Sequence, residues 1–223
     1  MTLVRVARLA ELMLIAENAG VLNATPELTW GLMIAVILHF DLESRRMRAG
    51  KWQSTVGTIL AGRTLGLLGL GRIGKRMAAY ARAFEMPVIA WSQNLTDETA
   101  AAVEARRVEK DDLFRLSDVL SIHVQLSHRT RGLVTARELA LMKPEAYLIN
   151  TSRGPIVVEA DLIAVLRAGR IAGAGIDVFD VEPLAADHPF RTMDNVTLTP
   201  HLGYVAYETL RAFYTDTLEA LVA

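Results

Sequence analysis

From Thr64 onward the chain alternates short apolar runs with amphipathic stretches, and that alternation restricts the fold more than any other feature. Strands are expected over 64–68, 87–91, 119–124, 146–151, 173–178 and 196–199, with helices over 72–84, 95–106, 135–142 and 158–168 between them. Repetition of strand and helix builds a parallel sheet, because a parallel neighbour needs a crossover and a helix packs back onto the sheet. TLGLL, VIAW, VLSIHV and AYLINT lack the period-two pattern of a half-exposed strand, as strands covered on both faces should. The expected class is α/β, a doubly wound parallel sheet with helices on both faces. At 52% apolar residues the chain has ample material for that core.

Ahead of the alternation, Thr25, Pro26 and Glu27 read as an N-cap, a first helical residue and a first-turn acid. Arg45, Arg46 and Arg48 before Gly50 supply a basic last turn and a stop, so one long helix is expected over 26–48. Its stretch from Leu28 to Phe40 carries no charge but falls short of the roughly 20 residues that cross hydrocarbon. A helix apolar on nearly every side is expected to be buried between domains or between subunits. The opening MTLVRVARLAELMLIAENAG holds Arg5, Arg8, Glu11 and Glu17, which breaks the apolar core of a signal peptide and the acid-free pattern of a transit peptide. An extra N-terminal helical segment is expected there, packed on the 26–48 helix or on a second subunit.

Charge and cysteine content exclude several function classes. Lys plus Arg (24) nearly cancel Asp plus Glu (25), so no net field recruits nucleic acid or an anionic membrane, and neither is expected as a partner. With no cysteine there is no disulfide framework, no thiolate metal site and no cysteine nucleophile, which fits a reducing, cytoplasmic location.

The run TLGLLGLGRIGKRMAAYA, residues 64–81, holds GLGRIG between an expected strand and an expected helix. In that context Gly69 permits a tight turn, Gly71 lets backbone amides approach a pyrophosphate, and Gly74 allows close helix packing. The helix N-terminus then faces the phosphates, which makes the fold Rossmann-like and the ligand a dinucleotide. An acid usually ends the second strand and binds the adenosine ribose, but here VIAWSQN puts Ser92 at about that place. No Arg or Lys stands between Val88 and Leu95 to clamp a 2′-phosphate, so NAD and NADP both stay open as cofactors. Asp97, followed by an alanine-rich run, reads as a helix-start residue.

Three further stretches place chemistry at strand ends, where open α/β sheets bind ligands. AYLINTSRGP delivers Thr151, Ser152 and Arg153, and an arginine there can fork onto a carboxylate or carbonyl of a small acid. GAGIDVFDVEP ends a strand at Asp177 and follows with Glu182, its glycines bringing the strand close to something flat. VTLTPHLGY stops a last strand at Thr199, and Pro200 fixes the backbone before His201. Singly each is an ordinary loop, but consecutive strands of one sheet would converge them. His39, His123, His128 and His188 follow no matching motif and are expected to be structural.

From about Gly20 to the C-terminus the chain resembles the D-isomer-specific 2-hydroxyacid dehydrogenases. The resemblance rests on ATPELTWGL, RAGKWQ, LAGRTLGLLGLGRIG, LSDVLSIHVQLSHRTRGLV, LMKPEAYLINTSRGPIV, LIAVLRAGRIAGAGIDVFDVEPL and NVTLTPHLGY, in order. It implies a catalytic Arg153, Glu182 and His201, Arg72 and Ile73 at the pyrophosphate, Thr151 and Asp177 near the nicotinamide, and Val124 beside the adenosine. It also implies hydride transfer between NAD or NADP and a small 2-hydroxy or 2-oxo acid of the glyoxylate, hydroxypyruvate or phosphoglycerate kind, in a homodimer.

The resemblance further implies a lid-like substrate domain before the long helix, where only MTLVRVARLAELMLIAEN stands. The expected organisation is a remnant of that domain over 1–24, a dinucleotide-binding domain over 25–202, and a C-terminal helix over 203–223 returning toward the lid. A chain without most of its lid leaves a second reading open: a catalytically weak or inactive NAD(P)-binding and dimerisation module.

Overall fold

A computed structural model of the protein describes residues 23–222. The expected N-terminal helix and most of the lid remnant lie outside the described residues. Seven strands form one sheet: β1 (Leu65–Leu68), β2 (Val88–Trp91), β3 (Ala105–Arg107), β4 (Val119–Ile122), β5 (Tyr147–Asn150), β6 (Gly173–Ile176) and β7 (Val196–Leu198). Their order is β3-β2-β1-β4-β5-β6-β7, and every neighbouring pair is parallel. All carboxyl ends therefore share one edge, and the chain reverses its direction of travel across the sheet between β1 and β4. The six strands expected from the sequence lie within two residues of their expected ends.

Alternate side chains of the buried strands feed two apolar layers, as strands covered on both sides require. Leu65, Leu67, Val119 and Ile149 pack under α1 (Ala24–Ile37) and α3 (Arg72–Ala83), where Met33, Ile37 and Met77 are fully enclosed. Leu68, Leu120, Ile122 and Leu148 pack on the opposite face, with Leu113 and Phe114 from α5 (Lys110–Leu116), Leu139 from α6 (Ala136–Leu139) and Leu162 from α7 (Glu159–Arg167). The remaining helices are α2 (Phe40–Arg48), the short α4 (Asp97–Ala101) that starts at Asp97, and α8 (Tyr207–Val222).

Three sequence expectations are corrected. The single 26–48 helix is two, because His39 adopts a left-handed φ of 55° that ends α1 and restarts the chain as α2. Thr25 is not an N-cap: α1 starts at Ala24, and the Thr25 hydroxyl donates to the Gly203 carbonyl at 2.7 Å. One face of the uncharged helix is buried on the sheet, with Thr29, Trp30, Met33 and Val36 enclosed. The expected helix over 95–106 is α4 followed by β3, a three-residue edge strand ending in Arg106 and Arg107. An edge strand with polar residues on it shows no apolar run to read.

The glycines of β6 also meet something other than a flat group. A Cβ on Gly175 would lie 2.9 Å from Cγ of Leu32, so the bare strand is what lets α1 settle against the sheet.

Candidate active site

The glycine loop has the geometry a pyrophosphate cradle needs. Gly69 sits at φ 105°, and a Cβ there would lie 2.8 Å from the His123 carbonyl carbon, so no other residue fits the turn off β1. A Cβ on Gly74 would lie 2.3 Å from the Gly69 carbonyl oxygen, so the first turn of α3 rests directly on the loop. A Cβ on Gly71 would meet nothing within 4 Å, which leaves open space above the α3 N-terminus. No side chain caps that terminus and no acid stands in its first turn. The amide end of the helix dipole thus faces the opening without a competing protein anion. Arg72 is exposed and Ile73 half-buried at the start of α3, so the residues present fit a dinucleotide phosphate.

Neighbouring strand ends close in on this loop. Ser92 is half-buried just beyond β2, and its carbonyl accepts from the Leu95 amide in a turn. Ser152 donates from Oγ to the Val124 carbonyl at 2.6 Å, tying the end of β5 to the chain beyond β4. Thr151 is buried, and its hydroxyl meets that of Thr29 on α1 at 2.7 Å. Because Thr29 gives its proton to the Thr25 carbonyl at 2.7 Å, Thr151 must be the donor of the pair, which leaves its lone pairs as the acceptors.

Glu182 and His201 come together, with Oε2 of Glu182 2.6 Å from Nδ1 of His201. The other carboxylate oxygen, Oε1, accepts from the Phe179 amide at 2.9 Å. Burial works to raise the Glu182 carboxyl, but the hydrogen bonds from His201 and Phe179 and the charges of His201 and Arg153 outweigh it. The carboxyl is held below its ordinary range, so Glu182 is an anion at neutral pH. Arg153 is exposed at the turn after β5, donates from its guanidinium to the Ser152 carbonyl at 2.7 Å, and contributes its field to Glu182. The next residue explains how the two turns meet: a Cβ on Gly154 would lie 2.1 Å from the Phe179 carbonyl carbon.

Asp177 is fully buried and its carboxylate is occupied by the protein. Oδ1 accepts from the Thr199 hydroxyl at 2.6 Å and the Leu202 amide at 2.7 Å, and Oδ2 accepts from the Gly203 amide at 3.0 Å. Its backbone carbonyl also accepts from the His201 amide at 2.9 Å. Burial pushes the Asp177 carboxyl up, and these bonds and nearby His201 offset part of that. Four contacts from one residue fix the turn that carries His201, whose φ of 55° is left-handed.

Sequence reading did not find Thr25, Thr29, Phe179 or Thr199 as parts of this site. A signal existed only for the first two, which stand one helical turn apart in ATPELT and so share a face. Of the other histidines, His123 lies beyond β4 with Nε2 2.8 Å from the Ser121 hydroxyl, and burial lowers its pKa to about 3. His39 forms the α1–α2 break.

Residues 30–203 match the family model of the D-isomer specific 2-hydroxyacid dehydrogenase, NAD binding domain. The chain belongs to this family. It is 39% identical over 219 residues to a glyoxylate reductase of Aeropyrum pernix, covering 94% of this chain and 65% of that one. It is 38% identical over 204 residues to a glyoxylate reductase of Thermococcus litoralis, covering 87% of this chain and 61% of that one. A phosphoglycerate oxidoreductase structure from Vibrio cholerae superposes with a TM-score of 0.84 at 35% identity, covering 92% of this chain and 68% of that one. The chain thus spans somewhat under two thirds of the length of the two curated relatives.

Proposed function

We propose that the protein is an NAD(P)-dependent oxidoreductase that interconverts a small 2-hydroxy acid and its 2-oxo acid. The observation that carries this reading is the 2.6 Å contact between His201 and Glu182 on the sheet edge that also holds the glycine loop. With Nδ1 engaged by the carboxylate, Nε2 is the nitrogen that gives a proton to the substrate oxygen in reduction and takes one in oxidation. Glu182 fixes the ring and stabilises the imidazolium that forms when the proton is taken. Arg153 binds the substrate carboxylate and carbonyl, orienting the carbon and polarising its oxygen. When bound, the nicotinamide supplies or accepts the hydride.

Gly69, Gly71, Gly74, Arg72 and Ile73 would hold the pyrophosphate, Ser92 and Val124 the adenosine side, and Thr151, Ser152 and Asp177 the nicotinamide side. For Asp177 the support is indirect: its carboxylate is spent on the His201 turn, so we assign it to the nicotinamide side through that turn. The A. pernix and T. litoralis glyoxylate reductases make glyoxylate the first substrate to try.

The functional unit we propose is a homodimer formed by a second copy of this chain. Its support is an irregular segment after α2 that exposes Trp52, Val56 and Ile59 at 74%, 91% and 82%, beside Phe40 and Met47 of α2. No helix among the described residues is long and apolar enough to cross a membrane.

Fluorescence titration with NADH and NADPH tests the cofactor, with micromolar binding expected for at least one; binding of neither overturns the reading. Steady-state reduction of glyoxylate and hydroxypyruvate tests the chemistry, with turnover abolished in His201→Ala. Turnover that survives His201→Ala removes the role given to that residue, and binding without turnover marks a dinucleotide-binding module. Sedimentation tests the dimer, and a monomer at micromolar concentration overturns it.

A further inference from the structure

Glu182 sits in the middle of a stretch without helix or strand, between the end of β6 at Ile176 and a short 3-10 turn at Pro189–Thr192. Such a stretch would leave a catalytic carboxylate loosely placed, yet Glu182 is bonded to both His201 and the Phe179 amide. The restraint comes from a second His–carboxylate pair on the far side of the loop. Glu159, the first residue of α7, has Oε1 3.1 Å from Nε2 of His188, and its Oε2 accepts from the Asp180 amide at 3.4 Å. One carboxylate therefore holds the loop at two points, one on either side of Glu182.

The tautomer of His188 follows from its other contact. Nδ1 accepts from the Phe190 amide at 3.3 Å, so the proton directed at Glu159 is carried on Nε2. The ring also packs against the buried Phe190 ring, with centroids 5.0 Å apart, which anchors the end of the loop to the core. At the other end, the backbone of Phe179 is pressed against Gly154 and donates to Glu182. Burial and the Glu159 charge push the neighbouring Asp180 carboxyl up while Arg131 lowers it, so these charges face the same cluster.

We propose that Glu159 and His188 are positioning residues: they clamp the 180–188 loop so that Glu182 stays within bonding distance of His201. Neither touches the reacting atoms. The proposal rests on the reading of His201 and Glu182 as the proton-transfer pair, but its readout is a titration rather than turnover, so the two can fail separately.

The test follows the side-chain carboxyl signal of Glu182 by carbon NMR in the full chain, across pH, in wild type, His188→Ala, Glu159→Gln and His188→Gln. With the clamp removed, Glu182 loses part of its contact with His201, and its midpoint is expected to rise by about one pH unit, a tenfold change in proton affinity. Glu159→Gln keeps the shape but leaves only one acceptor for two donors, so it should show the same direction. His188→Gln keeps a donor toward Glu159 and should recover most of the wild-type midpoint. NADH affinity should stay within about twofold throughout, because the clamp lies outside the phosphate cradle. If His188→Ala and Glu159→Gln fold with a wild-type Glu182 midpoint, the proposal is overturned. Failure of both variants to fold also overturns it, in favour of a purely structural pair.

Discussion

Nδ1 of His201 and Oε2 of Glu182 meet at 2.6 Å, although 19 positions separate the two residues in sequence. The contact depends on two turns leaving adjacent parallel strands at the same edge of the sheet. Each turn is held from below, the first by Phe179 and the second by the four bonds to Asp177.

Glu182→Gln should separate orientation from charge. The amide can accept from Phe179 or from His201 but not both, because its nitrogen only donates. The imidazolium also loses its counter-charge. Steady-state turnover is expected to fall roughly 10- to 1,000-fold, with NADH affinity unchanged by titration.

The glycine loop predicts opposite outcomes for two similar substitutions. Gly74→Ala forces a methyl to 2.3 Å from the Gly69 carbonyl oxygen and should lower stability by about 1–3 kcal/mol, read from denaturant unfolding. Gly71→Ala meets open space, so the protein should unfold at the wild-type midpoint while binding dinucleotide more weakly. Equal stability and equal affinity in both variants would sink the assignment of the cradle.

Thr29→Val tests the link from α1 to the site. It is nearly isosteric, yet it leaves the buried Thr151 hydroxyl without an acceptor and the Thr25 carbonyl without a side-chain donor. A loss of about 1–3 kcal/mol is expected in urea or guanidinium unfolding. An unchanged midpoint would overturn the structural role given to the Thr29–Thr151 pair.

Acid stability should depend on Glu138. Burial works to raise this carboxyl, but bonds from Thr135, Lys110 and Arg137 hold it at about 2, against an ordinary 4.5. A depressed native value contributes stability that is complete above the unfolded value and is lost as pH falls from 4.5 toward 2. The ceiling on that contribution is about 3 kcal/mol. Glu138→Gln should therefore flatten the fall in stability over this acid window, as measured by unfolding between pH 5 and pH 2.

Much of the architecture was legible before any coordinates. Each buried strand is a local apolar run, and α3 after β1 and α7 after β5 are long enough to show their own period, so neighbouring residues carry the signal. GLGRIG was legible for the same reason, since the positive φ of Gly69 and the contact of Gly74 with the Gly69 carbonyl lie within six residues, although the His123 carbonyl that also bars a side chain from Gly69 comes from just beyond the distant strand β4. Arg153, Glu182 and His201 could be picked out as strand-end residues, and parallel order makes strand ends converge.

Other features answer to distant parts of the chain. The three-residue β3 exists because Val88–Ala90 offers an edge to pair with, not because Ala105–Arg107 has a strand pattern. Thr25 has the chemistry of a cap, but the helix already starts at Ala24, and the Thr25 hydroxyl donates to a carbonyl 178 positions away. Asp177 was readable as a strand-end residue; its service to the His201 turn was not, because amides of a later loop must first be folded over it. Local sequence sets periodicity and turn chemistry, whereas hydrogen bonds between remote groups and the burial that strengthens them arise only once the sheet has brought those groups together.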